Sequence, residues 1–149
     1  MDFLASPEAA NLGLAGLFVS SFLAATLLPG GSEVVLFALL KLHPEQAVPA
    51  FLLATVGNTL GGMTTYGMAR LLPAKVSRDV TGGNPRGSTA RHLAAVQRYG
   101  SPALVLAWAP IIGDALCAAA GWLRLPLLPC VLWMALGKGL RYGVVMAVT

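Results

Sequence analysis

The chain of 149 residues is 56% hydrophobic and only 11% charged, and its mean hydropathy is +0.73. Soluble domains average about 25% charged residues, so this composition excludes an ordinary soluble globule. Ten Lys and Arg against six Asp and Glu give a net charge of +4, and the apolar residues lie in long blocks. The sequence therefore predicts an all-α integral membrane protein.

The first apolar block, residues 12–42, is interrupted at residues 29–33, where Pro-Gly-Gly-Ser-Glu combines turn-forming residues with a carboxylate. A membrane-crossing helix needs about 20 residues, and the part after the interruption is too short. We therefore predict a re-entrant helical hairpin whose tip is this segment. The next block, residues 47–72, is long enough to cross, and its many glycines are typical of membrane helices that pack closely.

A polar segment, residues 73–100, carries five of the ten Lys and Arg, and Arg70 lies just before it. Clusters of Lys and Arg beside apolar segments mark cytoplasmic loops. After Ser88, the residues Leu93, Val96 and Tyr99 recur at helical spacing, with basic residues on the other faces. This pattern is typical of an amphipathic helix that lies on a membrane surface. Aromatic residues other than Tyr99 are not interleaved with the basic ones, so no nucleic-acid partner is expected.

The second half of the chain has a similar organisation. An apolar block at residues 102–122 is broken at residues 110–114, and a last block, residues 126–148, is long enough to cross. A Pro-x-x-x-acid pattern occurs at Pro29 and again 81 residues later at Pro110, and the motif Gly-x-x-Leu at residues 57–60 recurs at 137–140.

We therefore predict one membrane domain, residues 1–149, that contains an inverted repeat. The first unit covers residues 11–72, the basic loop covers 73–100 and the second unit covers 101–148. One hairpin and one crossing helix make an odd number of traversals, so the second unit enters from the opposite face. In transporters with this design, interrupted segments at matching positions indicate the binding site.

Four ionisable residues lie within or beside apolar segments: Glu33, Asp114, Lys138 and Arg141. Each charge at the middle of a membrane helix costs about 2.5–3.5 kcal/mol, so these side chains should be paired, hydrated or protonated. Their formal charges cancel, which permits one compensated cluster if the hairpin tips meet the last helix. We predict that Lys138 and Arg141 bind a lipid phosphate, while Glu33 and Asp114 take up protons or a cation.

Structural roles remain open for the same residues. The two carboxylates could serve only as caps of short helices, and the two cations could snorkel to a membrane interface. The predicted hairpin tips and helix breaks are Pro29, Gly30, Gly31, Pro110 and Gly113. The small and polar residues predicted to line a path or to pack are Gly57, Asn58, Thr59, Gly61 and Gly62.

Neither an enzyme nor a metal or cofactor site is expected. His43 and His92 lack a second histidine at helical spacing, and no nucleotide-binding or hydrolase motif occurs. The expected partners are membrane lipids, protons or cations, and a second copy of the chain that packs through the glycine-rich second block.

Four ordered motifs resemble the YqaA-like small members of the DedA superfamily, also called the VTT or SNARE-associated domain family. The motifs are LLPGGSEVV at 27–35, GNTLGG at 57–62, WAPIIGD at 108–114 with AGWLR at 120–124, and LGKGLRY at 136–142. The resemblance implies a multi-pass inner-membrane protein with two facing re-entrant hairpins. It also implies a part in lipid transport or membrane homeostasis, and it assigns Glu33 to the acid that relatives carry after a Pro-Gly turn.

The sequence departs from the larger relatives around Pro110, which lacks the flanking arginines of their Arg-x-x-Pro-x-x-Arg motif. Three functions therefore compete. The first is a lipid translocase for a phosphate headgroup, with proton coupling. The second is a proton or cation carrier without a lipid substrate, and the third is a non-catalytic membrane assembly partner.

Overall fold

The computed structural model describes residues 6–26, 31–72, 88–109 and 111–149. Within these ranges the chain is helical and has no strands, which confirms the predicted all-α class. The predicted tip residues Pro29, Gly30 and Pro110 lie outside the described residues, as does the part of the basic loop at 73–87.

The first half forms three helices, α1 (Pro7–Ala24), α2 (Ser32–Leu42) and α3 (Ala47–Leu71). The Ser6 side chain caps α1 by accepting a hydrogen bond of 3.2 Å from the Ala9 amide. Helix α2 begins after Gly31, whose φ of +105° is the left-handed region that favours glycine. The predicted interruption of the first apolar block is thus confirmed.

The second half begins with helix α4 (Ser88–Tyr99) and the 3-10 helix Ser101–Trp108. Helices α5 (Ile112–Trp122) and α6 (Leu127–Val148) follow, so the second apolar block is broken where the sequence predicts. Helices α2 and α5 each contain 11 residues, and their first residues are 80 apart. The first residues of α3 and α6 are also 80 apart.

Helix α4 is amphipathic, but its apolar face does not lie on a membrane surface as predicted. Leu93 and Val96 are buried in a core cluster with Tyr66 of α3 and Leu116 of α5, and only Tyr99 of the predicted stripe is exposed. An apolar face that packs on the protein core and one that lies on a membrane surface have the same helical periodicity, so the sequence could not distinguish them.

Two hydrophobic clusters make up the core. One cluster is built mostly from the second half and takes Tyr66 from α3, whereas the other is built mostly from the first half and takes Tyr142 from α6. Both tyrosines are fully buried. Each long helix therefore stabilises the opposite half, and the charged residues lie where the two halves meet.

The glycines of α3 bring helices together inside the chain. A Cβ atom on Gly57 would lie 2.7 Å from the Phe18 carbonyl oxygen, and one on Gly61 would lie 2.4 Å from the Phe22 carbonyl oxygen. These positions let α1 approach the α3 backbone closely. Because α1 occupies the α3 surface at Gly57 and Gly61, a dimer contact through α3 would use its other positions, and the dimer stays a prediction.

Gly61→Ala is expected to lower the free energy of unfolding by about 1–3 kcal/mol, because the added methyl group overlaps the α1 backbone. Gly67→Ala in the same helix is the control, since its Cβ would meet nothing within 4 Å and Ala favours a helix by up to about 1 kcal/mol. Thermal unfolding of the two purified variants in one detergent measures the difference. Equal midpoints would contradict the close α1–α3 contact.

Among the described helices, only Leu127–Val148 combines the length and the hydropathy of a membrane-crossing segment. Helix α3 has 25 residues, which is long enough for the other predicted crossing helix, at residues 47–72. The multi-pass topology therefore stays a prediction.

Candidate functional site

The four ionisable side chains singled out by the sequence form two ion pairs. The Lys138 Nζ atom lies 3.5 Å from Oδ1 of Asp114, and the Arg141 guanidinium pairs with the Glu33 carboxylate. Lys138 and Arg141 are three residues apart on α6, so their side chains lie next to each other on one face of the helix. The charges thus compensate each other two against two, as the sequence permits.

Both carboxylates lie in the first turn of a short helix, Glu33 in α2 and Asp114 in α5. Negative charge is favoured there by the positive end of the helix dipole. The N-cap residues are Gly31 in α2 and Ile111 in α5, and neither helix has a side-chain hydrogen bond at its N-cap. The carboxylates point to cations of α6 instead.

Lys138 is buried with 1% of its surface exposed. Its ammonium group donates a hydrogen bond of 2.8 Å to the Asn58 carbonyl oxygen and another to the Asn58 side-chain oxygen, and it faces Asp114. An ammonium has three hydrogens, and each has an acceptor here. Snorkelling to an interface is therefore wrong for Lys138, which ends inside the protein.

Asn58 connects this lysine to the other ion pair. Its side-chain nitrogen donates a 2.9 Å hydrogen bond to the Tyr142 hydroxyl, which lies 2.9 Å from the Ser32 hydroxyl. Ser32 directly precedes Glu33, and Tyr142 directly follows Arg141. The two ion pairs are therefore joined by one continuous set of buried polar contacts.

Exposure differs between the two ion pairs. The side chains of Glu33 and Arg141 are 25% and 16% exposed, whereas Lys138 is almost completely covered by its surroundings. Asp114 retains 32% exposure. The Glu33–Arg141 pair is therefore the one whose cation an incoming anion could reach without moving the helices apart.

The other predicted residues have structural contacts. Thr59 donates to the Thr55 carbonyl of its own helix, and Gly62 leaves room for Lys138, whose Nζ would lie 3.1 Å from an added Cβ. Gly113 lets α5 approach the preceding 3-10 helix, because a Cβ there would lie 2.6 Å from the Ala107 carbonyl oxygen.

Sequence reasoning missed the hydroxyl groups of Ser32 and Tyr142. Tyr142 follows Lys138 by four residues, and this spacing places both side chains on one helix face. That spacing was the available signal. Within the described residues, no group of three or more His, Cys, Asp or Glu could hold a metal ion, and Cys117 and Cys130 are free and buried.

An all-helical chain with a long apolar helix and a buried, charge-balanced cluster defines a helical membrane protein with an internal polar site. The VTT domain family matches residues 28–149. The chain belongs to this family, and more narrowly to its YqaA-like DedA members, as its motifs indicate.

Two relatives carry the name inner membrane protein YqaA, one from Escherichia coli K12 and one from Shigella flexneri. Each is 44% identical over 93% of this chain and 92% of its own length. An uncharacterized protein of Haemophilus influenzae is 40% identical over 85% of this chain and 80% of its own length. These relatives support an inner-membrane location for this chain. No solved structure matches it.

Proposed function

We propose that the chain is a transporter, not an enzyme, which moves a lipid with a phosphate headgroup across the inner membrane together with protons. The observation that carries this proposal is the Glu33–Arg141 ion pair, partly exposed at the start of α2. Membership of the VTT domain family agrees with a membrane role. The inner-membrane relatives agree with the location.

A phosphate and the Glu33 carboxylate would compete for the same guanidinium group. Arg binds either group through paired N–H donors, so one can replace the other with little change in geometry. When Glu33 takes up a proton, its negative charge is lost and Arg141 becomes free for the lipid phosphate. When Glu33 releases the proton, the carboxylate displaces the phosphate and the lipid leaves.

Lys138 has a different part in this mechanism from the one predicted. Its hydrogens are engaged by Asn58 and Asp114, so Arg141 makes the direct phosphate contact. The Lys138 charge attracts the anion from within the protein, and Asp114, which is more exposed, takes up a proton or a cation.

An inverted repeat with two re-entrant hairpins would give the site its symmetry. Support comes from burial, because each buried residue of α6 lies 80 positions after a buried residue of α3. The buried α6 residues are Cys130, Met134, Gly137, Lys138 and Tyr142. Both helices also have proline as their third residue, Pro49 in α3 and Pro129 in α6.

The contact between Asn58 and Lys138 also supports the repeat. These two residues are 80 positions apart, so they are equivalent in the two units, and they touch each other. Equivalent residues meet only where a two-fold axis passes between them. The proposed axis therefore runs through the polar site, as in transporters built from inverted repeats.

The test is flipping of fluorescent phosphatidylglycerol in proteoliposomes, with and without an imposed pH gradient. Wild-type protein is expected to flip the lipid faster with the gradient. In Glu33→Gln the side chain stays neutral at every pH, so the flipping rate should no longer respond to the gradient. Glu45→Gln is the matched control, because the Glu45 side chain is 62% exposed and pairs with His43, away from the two ion pairs of the site.

A gradient response in Glu33→Gln equal to that of the wild type would exclude Glu33 as the coupling group. Absence of flipping by folded wild-type protein, tested with several anionic lipids, would exclude the lipid substrate.

A proton or cation carrier without a lipid substrate is the second candidate. The burial of Lys138 favours it, since a lysine that is closed off by Asn58 and Asp114 serves ion balance within the protein and contacts no headgroup. Proton flux into vesicles made only of lipid without a phosphate group would support this function over lipid transport. A homo-oligomer also remains a proposal, and its contact would use surfaces other than the α1–α3 glycine face.

A further inference from the structure

Four buried polar groups form a chain of hydrogen bonds through the middle of the molecule. They are the ammonium of Lys138, the amide of Asn58, and the hydroxyls of Tyr142 and Ser32. None of these four residues is more than 3% exposed. Asp114 lies beside one end of the chain, and Glu33 follows the residue at the other end.

The direction of the first two hydrogen bonds, from Lys138 to Asn58 and from Asn58 to Tyr142, is fixed. An ammonium only donates, so the Asn58 atom that faces Lys138 must be the oxygen, and the amide nitrogen must face Tyr142. The Tyr142 hydroxyl accepts from that nitrogen and forms a second hydrogen bond with the Ser32 hydroxyl, in which either oxygen can be the donor. Each bond therefore depends on the one before it, beginning at Lys138.

We propose that Asn58 and Tyr142 are positioning residues that couple the two ion pairs, so that a change at Asp114 alters the start of α2 where Glu33 lies. When Asp114 loses its charge, the Lys138 ammonium is no longer held in place and the orientation of the Asn58 amide is released. Tyr142 then loses its donor, and Ser32 loses the fixed position of its partner. This inference deepens the proposed function, because it makes both pairs parts of one transport cycle.

The test is hydrogen–deuterium exchange of the full chain in lipid nanodiscs, measured on peptides that contain the first turn of α2. Asp114→Asn is expected to raise the exchange rate there about fivefold, the effect of losing one hydrogen bond. Tyr142→Phe alone should raise it by a similar factor. In the Tyr142→Phe background, Asp114→Asn should not raise exchange at α2 any further, because the series of hydrogen bonds is already interrupted at Tyr142.

Tyr66→Phe is the matched control. Tyr66 is also fully buried, and its hydroxyl donates to the Leu125 carbonyl oxygen, outside this chain of hydrogen bonds. In Tyr66→Phe, Asp114→Asn should still raise exchange at α2. Ser32→Ala interrupts the series of hydrogen bonds at its other end. If Tyr142→Phe does not fold, Ser32→Ala serves as the background in which Asp114→Asn is measured.

Two results would overturn the coupling. Either Asp114→Asn leaves exchange at α2 unchanged in the otherwise native protein, or it raises exchange equally when Tyr142 or Ser32 has been replaced. Exchange measures the structure at α2 and not the movement of lipid between leaflets, so the coupling and the proposed function fail separately. Coupled exchange without lipid flipping would reject only the transport proposal, and flipping without coupling would reject only this inference.

Discussion

Arg141→Gln is expected to lower the rate of lipid flipping about 10- to 100-fold, the effect of losing a hydrogen bond to a charged group. Glutamine retains much of the side-chain length and removes the charge, so the phosphate loses its main partner. The Glu33 carboxylate also loses the cation with which it pairs among the described residues, and it must be protonated or hydrated. The rate is measured with fluorescent phosphatidylglycerol in proteoliposomes at equal protein density.

Two further variants make the result specific. Arg141→Lys keeps the charge without the paired donors, so it should retain an intermediate rate. Lys41→Gln removes a cation from the opposite end of α2, where Lys41 donates to the Thr149 carbonyl at the surface. This variant should flip lipid at the wild-type rate. An Arg141→Gln rate equal to that of Lys41→Gln would show that Arg141 does not contact the substrate.

Lys138→Met is expected to lower the free energy of unfolding by about 3 kcal/mol, the lower end for breaking a buried ion pair. Methionine fills a similar volume but leaves Asp114 and both Asn58 oxygens without their donor. The lower end applies because Asp114 is 32% exposed and keeps part of its hydration. Thermal unfolding in detergent measures the loss.

The double variant Lys138→Met with Asp114→Leu should recover most of that stability, since an apolar pair of similar size can replace a buried ion pair. It should not recover lipid flipping. If the double variant is no more stable than Lys138→Met alone, the loss came from Asn58 and not from an unpaired carboxylate.

The helix breaks could be predicted because their causes are local. Proline restricts the backbone and glycine permits conformations that other residues avoid, so the sequence at residues 29–33 and 110–114 shows both interruptions. The need to compensate Glu33, Asp114, Lys138 and Arg141 also follows from the sequence, since burying a charge in a membrane is costly wherever the partner lies.

The choice of partner could not be predicted from the sequence. Asp114 pairs with Lys138 and Glu33 with Arg141 because of the way in which α2 and α5 meet α6, and either pairing satisfies the same charge count. Tyr142 was missed for a similar reason, because its contact with Ser32 joins residues 110 positions apart.

The sequence also could not predict what a given helix face contacts. The stripe that includes Leu93 has the same period whether it faces lipid or protein, and the structure places this residue in the core. Glycines at 57 and 61 suit a contact between two copies as well as one within a chain. Only the position of α1 decides in favour of the contact within the chain.

The uneven distribution of charge between the two halves fixes how they must be combined. In the polar site, the first half supplies one acid, Glu33, whereas the second supplies one acid, Asp114, and both cations. A site assembled from two copies of the first half would therefore contain two uncompensated negative charges. A site assembled from two copies of the second half would contain two uncompensated positive charges. Only one half of each kind gives a neutral site, and covalent linkage of the two in a single gene product guarantees that ratio every time the protein is made.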